Sequence, residues 1–164
     1  MSQEEKQHFL DLIQQFDDAM LVSHAPDGEL RARPMAVAET TPEGDVFFVT
    51  SVDSPKVDEL LDDARLLVTF QKDSKYVSLT GTAEFIEDRS RIQELWKPIW
   101  RAWFPDGPED TDIILIRVRA EEGEYWNMAG KTRVKLAFRG LRSLLTGTEV
   151  KPPQSASAHG HVQL

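Results

Sequence analysis

The sequence contains no cysteine. A disulfide, a metal–thiolate centre and a thiol nucleophile are therefore excluded. It also lacks any apolar run of the roughly 18 residues that a membrane-spanning helix requires. The first residues, MSQEEKQHF, have neither the basic nor the apolar region of a secretory signal peptide. These absences predict a cytoplasmic protein that does not enter a membrane.

Basic charge is scarce as well. The chain carries 19 Lys and Arg against 28 Asp and Glu, which gives a net charge of −9. Nucleic acids and anionic membranes both require a basic face, so we expect neither as a partner. A small anion held by a few local cations is compatible with this charge.

Several functional motifs are missing. The nine glycines never form GxGxxG, GxxxxGK[ST] or the GxSxG elbow, which argues against a Rossmann site, a P-loop and an α/β-hydrolase. The four histidines do not form a ligand set, and the acidic loop 106–112 lacks the spacing of a calcium loop. We therefore expect no metal site. No residue stands out as a general base, and the catalytic residues are unknown at this stage.

What the chain does contain is a β-rich pattern. Strand-like segments cover 19–25, 29–39, 45–50, 65–71, 76–87 and 113–127. Helical periodicity covers 2–17, the two to three turns after Ser54, 88–104 and 131–147. Short turns join neighbouring strands, which predicts an antiparallel sheet. A sheet of six such strands tends to close into a barrel with helices over its ends.

The predicted fold is thus mainly β with flanking helices, in a single domain over residues 1–150. The last residues, 151–164, are small, polar and proline-bearing, and we predict a flexible tail. Pro34 lies inside a strand, which predicts an edge position or a bulge, and Gly81 predicts a bulge or a close backbone approach.

The segment 88–104 is rich in tryptophan. Its period places Trp96 and Trp103 on one apolar face, so we expect them in the core. Trp100 lies off this face and is predicted to be exposed in a pocket or a dimer contact. Pro98 is expected to kink or divide the helix.

A possible anion site begins in VFFVTSVDSPKVDEL, residues 46–60. Thr50, Ser51 and Ser54 place hydroxyl groups at the start of a helix, where free backbone N–H groups also point. Lys56 adds a positive charge at the end of the helix that the macrodipole disfavours for a cation. These groups together describe a phosphate site. In the alternative interpretation, Ser54 is only a cap and Lys56 only a surface residue.

The neighbouring strand carries further residues that favour the interpretation as a phosphate site. Arg31 and Arg33 share one face of RARPMAVAE, and the predicted hairpin places Arg33 beside Lys56. A guanidinium group can bind two phosphate oxygens at once. The small residues 34–38 would allow a flat ring to approach the backbone. An ordinary edge strand with solvated arginines is the other interpretation.

Five segments in a fixed order now suggest a family. They are RPMAVAE, VFFVTSVDSPKVDEL, YVSLTGTAEFIED, LWKPIWRAWFPDGPEDTDIILIRV and GEYWN. This set resembles the general stress protein branch of the pyridoxamine 5′-phosphate oxidase-like FMN-binding split barrels, from about Phe9 to Gly147. The resemblance implies a six-stranded antiparallel split β-barrel. It also implies a homodimer with flavin mononucleotide (FMN), or alternatively FAD, at the interface.

The resemblance implies contacts with the flavin for particular residues. Arg33, Ser54 and Lys56 would bind the phosphate. The strand edge of Pro34, Met35, Ala36 and Val37 would meet the ring, as would the pair Val49 and Thr50. Tyr76 and Ser78 would pass near the ring, and Trp126 would be contributed by the other chain.

Two departures argue against vitamin B6 oxidation. Pyridoxamine phosphate oxidases carry an arginine just before the lysine, where this chain has Pro55. They also carry an arginine and histidine motif after the tryptophan, where this chain reads NMAGKTRVKLAF.

The expected function is a flavoprotein, with possible oxidoreductase activity fed by a reduced nicotinamide or a similar donor. A non-catalytic flavin-binding stress protein, acting as a sensor or carrier, is the first alternative. A split barrel that binds the deazaflavin F420 or haem is the second. A small protein–protein interaction barrel without any cofactor is the third.

Overall fold

Six antiparallel strands close into a barrel. The computed structural model describes residues 3–127 and 159–164. Its strands are β1 Asp18–His24, β2 Leu30–Thr40, β3 Val46–Ser51, β4 Arg65–Lys72, β5 Lys75–Ile86, β6 Ile113–Asn127 and β7 His159–Gln163. They follow the order β3-β2-β1-β4-β5-β6-β7, and a further pairing of β3 with β6 closes the barrel. The predicted mainly β, six-stranded fold is confirmed, with a seventh strand added.

Three α-helices flank the barrel in the described residues: α1 Gln3–Ile13, α2 Pro55–Asp62 and α3 Arg89–Leu95. Helix α1 buries Phe9 and Ile13 completely against the main core. It ends before the predicted residue 17, because the chain turns after Ile13 and packs Phe16 against Phe70. The helix predicted over 131–147 lies outside the described residues. Within the described part of the chain, every helix is too short or too polar to span a bilayer.

Both predicted strand irregularities are present. Strand β2 pairs with β3 only from Val37 onward, with a register shift between Val37 and Glu39, so Pro34 lies where β2 has β1 alone as a neighbour. The β5–β6 register shifts between Thr80 and Gly81. A Cβ atom on Gly81 would lie 2.1 Å from the carbonyl oxygen of Arg119, so only glycine fits there.

The tryptophan-rich segment is divided, and this overturns the prediction for two of its residues. Helix α3 ends at Leu95, and a 3₁₀-helix follows over Pro98–Ala102. Trp100 is buried, with 2% of its surface exposed, whereas Trp103 is 67% exposed. The prediction of a core Trp103 and an exposed Trp100 was wrong because it extended one helical period across Pro98. Breaking the helix there rotates every later side chain relative to α3.

The predicted flexible tail is also wrong for its last residues. Residues 151–158 lie outside the described part, but His159–Gln163 form β7. This strand pairs with the second half of β6 and buries Val162 completely. The first half of β6 already pairs with β3, so β7 covers the edge of β6 beyond the end of β3. A five-residue segment with two histidines gave no strand signal of its own.

Candidate functional site

Lys56 lies in the first turn of α2, and its ammonium group contacts hydroxyl groups of Thr50 and Ser54. Its Nζ donates to the Oγ1 of Thr50 at 3.0 Å and to the Oγ of Ser54 at 2.6 Å. Ser54 occupies the N-cap position of α2, yet its side chain makes no capping hydrogen bond. The hydroxyl accepts from Lys56 instead. The interpretation of Ser54 as only a cap is therefore wrong.

The ammonium group of Lys56 is short of negative charge. In the described residues it has hydroxyl partners but no carboxylate partner. Burial lowers the pKa of Lys56, and the positive charge of Arg33 lowers it further, while Glu59 opposes the shift. A half-buried cation in these surroundings would gain from a bound anion. The geometry thus favours an anion at this point.

Arg33 is held in a buried polar cluster beside this site. Its Nη1 donates to Ser23 and its Nη2 to Glu59, each at 2.5 Å. The hydroxyl of Ser23 also donates to Glu59, at 2.6 Å, and Arg31 lies 3.6 Å from the same carboxylate. Glu59 projects from α2, three residues after Lys56. Arg33 therefore has a carboxylate partner that Lys56 lacks.

A cleft of about 610 Å³ opens next to Lys56. Such a volume lies in the range of small-molecule and cofactor pockets. Seven of the predicted site residues line it: Pro34, Met35, Ala36, Val49, Thr50, Ser54 and Lys56. Its polar end is formed by the hydroxyl groups and the ammonium. A wall of Trp100, Trp103 and Phe104 makes much of the remainder apolar.

Comparison with known proteins now assigns the chain. The family model described as pyridoxamine 5′-phosphate oxidase like matches residues 4–151. The chain belongs to the pyridoxamine 5′-phosphate oxidase-like family. This confirms the family predicted from the sequence.

Individual known proteins resemble this chain in sequence or in fold. Protein bli-3 of Neurospora crassa is 32% identical over 117 residues, which are 65% of this chain and 56% of bli-3. The chain thus spans little more than half of that relative's length. The structure of the Jannaschia sp. CCS1 protein assigned to general stress protein 26 has a TM-score of 0.71 at 20% identity, covering 99% of this chain and 100% of that one. The general stress FMN/FAD binding protein of Xanthomonas citri has a TM-score of 0.66 at 24% identity, covering 93% and 100%.

Five predicted site residues of this family member do not line the cleft. They are Arg33, Val37, Tyr76, Ser78 and Trp126. Val37 is buried in the main core, and Arg33 bonds to Glu59. Tyr76 pairs with Trp126 across β5 and β6, and the indole of Trp126 stacks on His159 with ring centroids 5.1 Å apart. Strands β1 and β4 separate β5 from the cleft strand β2.

Sequence reasoning also missed part of the site. The sequence predicts a core position for Trp103 and an exposed position for Trp100 in a pocket or a dimer contact, and it does not predict that these residues form a wall beside β2. Glu59 was missed because it lies within an amphipathic helix, where a glutamate usually faces solvent. The spacing of Lys56 and Glu59, one helical turn apart, was the available signal. It would have placed a carboxylate on the side of α2 that carries Lys56.

Proposed function

We propose that this chain is a flavin-binding protein of the general stress type that holds FMN in the 610 Å³ cleft. The observation that carries the proposal is the position of Lys56, a cation with two hydroxyl partners and no carboxylate in the described residues, at the polar end of a cleft with an aromatic wall. The structural relative from Xanthomonas citri is described as FMN/FAD binding, and one from Nostoc punctiforme as FMN binding.

The polar end fits a terminal phosphate. Thr50, Ser51, Ser54 and Lys56 all line the cleft, and the Nζ of Lys56 contacts the hydroxyls of Thr50 and Ser54. Charged hydrogen bonds to phosphate are stronger than neutral ones. Arg33 adds positive potential from beneath, as its effect on the pKa of Lys56 indicates. We propose that Lys56 is the main phosphate contact and that Arg33 supports it.

The strand β2 fits a flat ring. The residues of β2 that line the cleft are Pro34, Met35 and Ala36. The backbone N–H of Val37 donates to the carbonyl of Asp17 on the β1 side. Successive residues of a strand present their backbone groups to opposite edges, so the N–H of Ala36 faces away from β1. This amide is our candidate hydrogen-bond donor to the polar edge of the ring.

A second copy of the chain would complete the site. Ser78 lies in line with Pro34 across β4 and β1, through the pairs Ser78–Thr69, Thr69–Met20 and Met20–Pro34. Three strand spacings make that separation about 14 Å. This separation favours contacts from two different chains, and we propose a homodimer in which the partner supplies the contact of Ser78. Light scattering should give the mass of a dimer, and a monomer that still binds FMN would contradict this arrangement.

Bound FMN would supply a hydride acceptor, and a reduced nicotinamide or a similar donor would supply the hydride. We propose this oxidoreductase activity as the finer function. The test is to mix the flavin-loaded protein with NADH or NADPH without oxygen and record its absorbance. Bleaching supports a reductase. Flavin that stays oxidised with both donors favours the non-catalytic flavin-binding protein.

The test of the flavin site is the variant Lys56→Ala. Removing a charged hydrogen bond should weaken FMN binding by about 1.5–3 kcal/mol, or roughly 13- to 160-fold. Binding of riboflavin, which has no phosphate, should not change. Lys72→Ala is the matched control, because Lys72 forms an exposed ion pair with Asp17 and does not line the cleft. Equal FMN affinity in both variants would show that the phosphate is not at Lys56.

A further inference from the structure

Trp103 is exposed to an unusual degree for a tryptophan. It follows the 3₁₀-helix Pro98–Ala102, lines the cleft and is 67% exposed. In the described residues its indole stacks on no other ring. An indole is a large apolar surface whose burial is strongly favourable. A surface of this kind at the mouth of a cleft is available to a ligand.

The backbone on both sides of Trp103 is fixed. Its N–H and that of Phe104 both donate to the carbonyl of Trp100, at 3.0 and 2.9 Å. Trp100 and Phe104 are buried, and Trp100 packs edge-on against Trp96 with centroids 5.7 Å apart. The exposed indole therefore projects from a rigid support. Little conformational freedom of the backbone would be lost when a ligand binds.

The composition of the cleft indicates which part of a ligand meets this indole. Lys56 and the hydroxyls occupy one end, while Trp103 belongs to the aromatic wall, and the small side chain of Ala36 also lines the cleft. Aromatic rings gain stability from stacking beyond the simple burial of area. A ligand with a phosphate at one end and a flat ring at the other matches both ends of the cleft.

We infer that Trp103 is the ring-contact residue of this site and covers the face of the flavin that β2 does not contact. This inference rests on the proposed flavin function. It assigns specificity for a flat aromatic ring to Trp103, and specificity for phosphate to Lys56. The two residues should therefore respond differently to ligands that lack one of these parts.

The test compares Trp103→Ala and Trp103→Phe with Ile99→Ala. Ile99 is the matched control, since it is 68% exposed on the same 3₁₀-helix and does not line the cleft. Trp103→Ala should weaken the binding of FMN and of riboflavin alike, by at least about fivefold. Trp103→Phe should retain most of the affinity, and Ile99→Ala all of it.

Flavin fluorescence gives a second readout, which a merely structural role would not change. A stacked indole quenches flavin emission, so emission per bound FMN should rise in Trp103→Ala and stay low in Ile99→Ala. Near-ultraviolet circular dichroism checks that each variant is folded.

Three other outcomes would refute this inference, and the first of them would also refute the proposed function. Wild-type protein that binds neither FMN nor riboflavin refutes the proposed function and this inference together. If the wild-type protein binds FMN, but Trp103→Ala and Ile99→Ala bind FMN with equal affinity, the inference is refuted and the proposed function is not. A loss of affinity without a change in quenching also refutes it, because the indole then does not contact the ring.

Discussion

Replacing Arg33 by methionine would leave a buried carboxylate without its main partner. Glu59 is 3% exposed and would keep only the Ser23 hydroxyl at 2.6 Å and the half-exposed Arg31 at 3.6 Å. Removing one partner of a buried ion pair costs about 3–5 kcal/mol, because the other charge stays uncompensated. Arg31 still offsets part of that charge. We therefore expect Arg33→Met to lower the free energy of unfolding by about 3 kcal/mol at pH 7.

The loss of stability in Arg33→Met should become smaller at low pH. Burial acts to raise the pKa of Glu59, but hydrogen bonds from Ser23 and Arg33 and the charges of Arg33 and Arg31 outweigh it, so that pKa is lowered. A lowered pKa adds stability above the unfolded value of about 4.3, and this stability is lost as the pH falls through the folded value. Without Arg33, burial should raise the pKa of Glu59. The stability difference between wild type and variant should then narrow as the pH falls below about 5.

Urea denaturation at pH 7 and at pH 4.5, followed by tryptophan fluorescence, measures both effects. The double variant Arg33→Met with Glu59→Gln supplies the control, because glutamine can still accept from Ser23 and carries no charge. It should be more stable than Arg33→Met alone at pH 7. If the two variants unfold at the same urea concentration, or if the difference from wild type does not change with pH, then Glu59 is not a buried anion held by Arg33.

Two further substitutions test the packing and the capping. In Gly123→Ala the new Cβ would lie 2.2 Å from the Phe9 ring. We therefore expect thermal unfolding to show a loss of about 1–3 kcal/mol in stability, which Phe9→Leu should partly restore. An unchanged melting temperature would mean that α1 moves aside freely. Asp88→Ala removes a carboxylate that accepts from two backbone N–H groups of α3, and it should cost about 0.5–2 kcal/mol in urea. Ser54→Ala removes no hydrogen bond to a backbone N–H group, so it should destabilise the protein less than Asp88→Ala does. A larger loss of stability in Ser54→Ala would contradict the capping geometry.

The strands could be predicted because each follows a local pattern of alternation. The bulge at Gly81 followed from one residue type in an otherwise regular strand. The prediction for the segment after α3 was wrong, because the helical period does not continue across Pro98. This break changes which tryptophan faces the core. Strand β7 could not be predicted, because its formation depends on pairing with the edge of β6, which no pattern in its own residues indicates.

The candidate site also contains some residues that lie close together in the sequence and others that only the fold brings together. Thr50, Ser54 and Lys56 are near one another in the sequence, and a strand that leads into a helix brings them together. The pairing of Arg33 with Glu59 depends on how α2 packs against β1 and β2, and no local pattern encodes it. The flavin contacts predicted for Tyr76 and Trp126 do not form within the cleft of a single chain, and they stay a prediction.

The pairing of β3 with β6 has a consequence for how the chain reaches its native state. Val46 pairs with Val118, whereas the pairs β1–β2, β2–β3 and β4–β5 are each joined by a short connection. Contacts between residues far apart in sequence carry a large entropy cost before they contribute stability, and they slow folding. We therefore expect the hairpins β1–β2, β2–β3 and β4–β5 to form early and the β3–β6 seam to close late. The aromatic wall of the cleft precedes β6 in the chain, so a folding intermediate in which this seam is still open would have no complete ligand pocket.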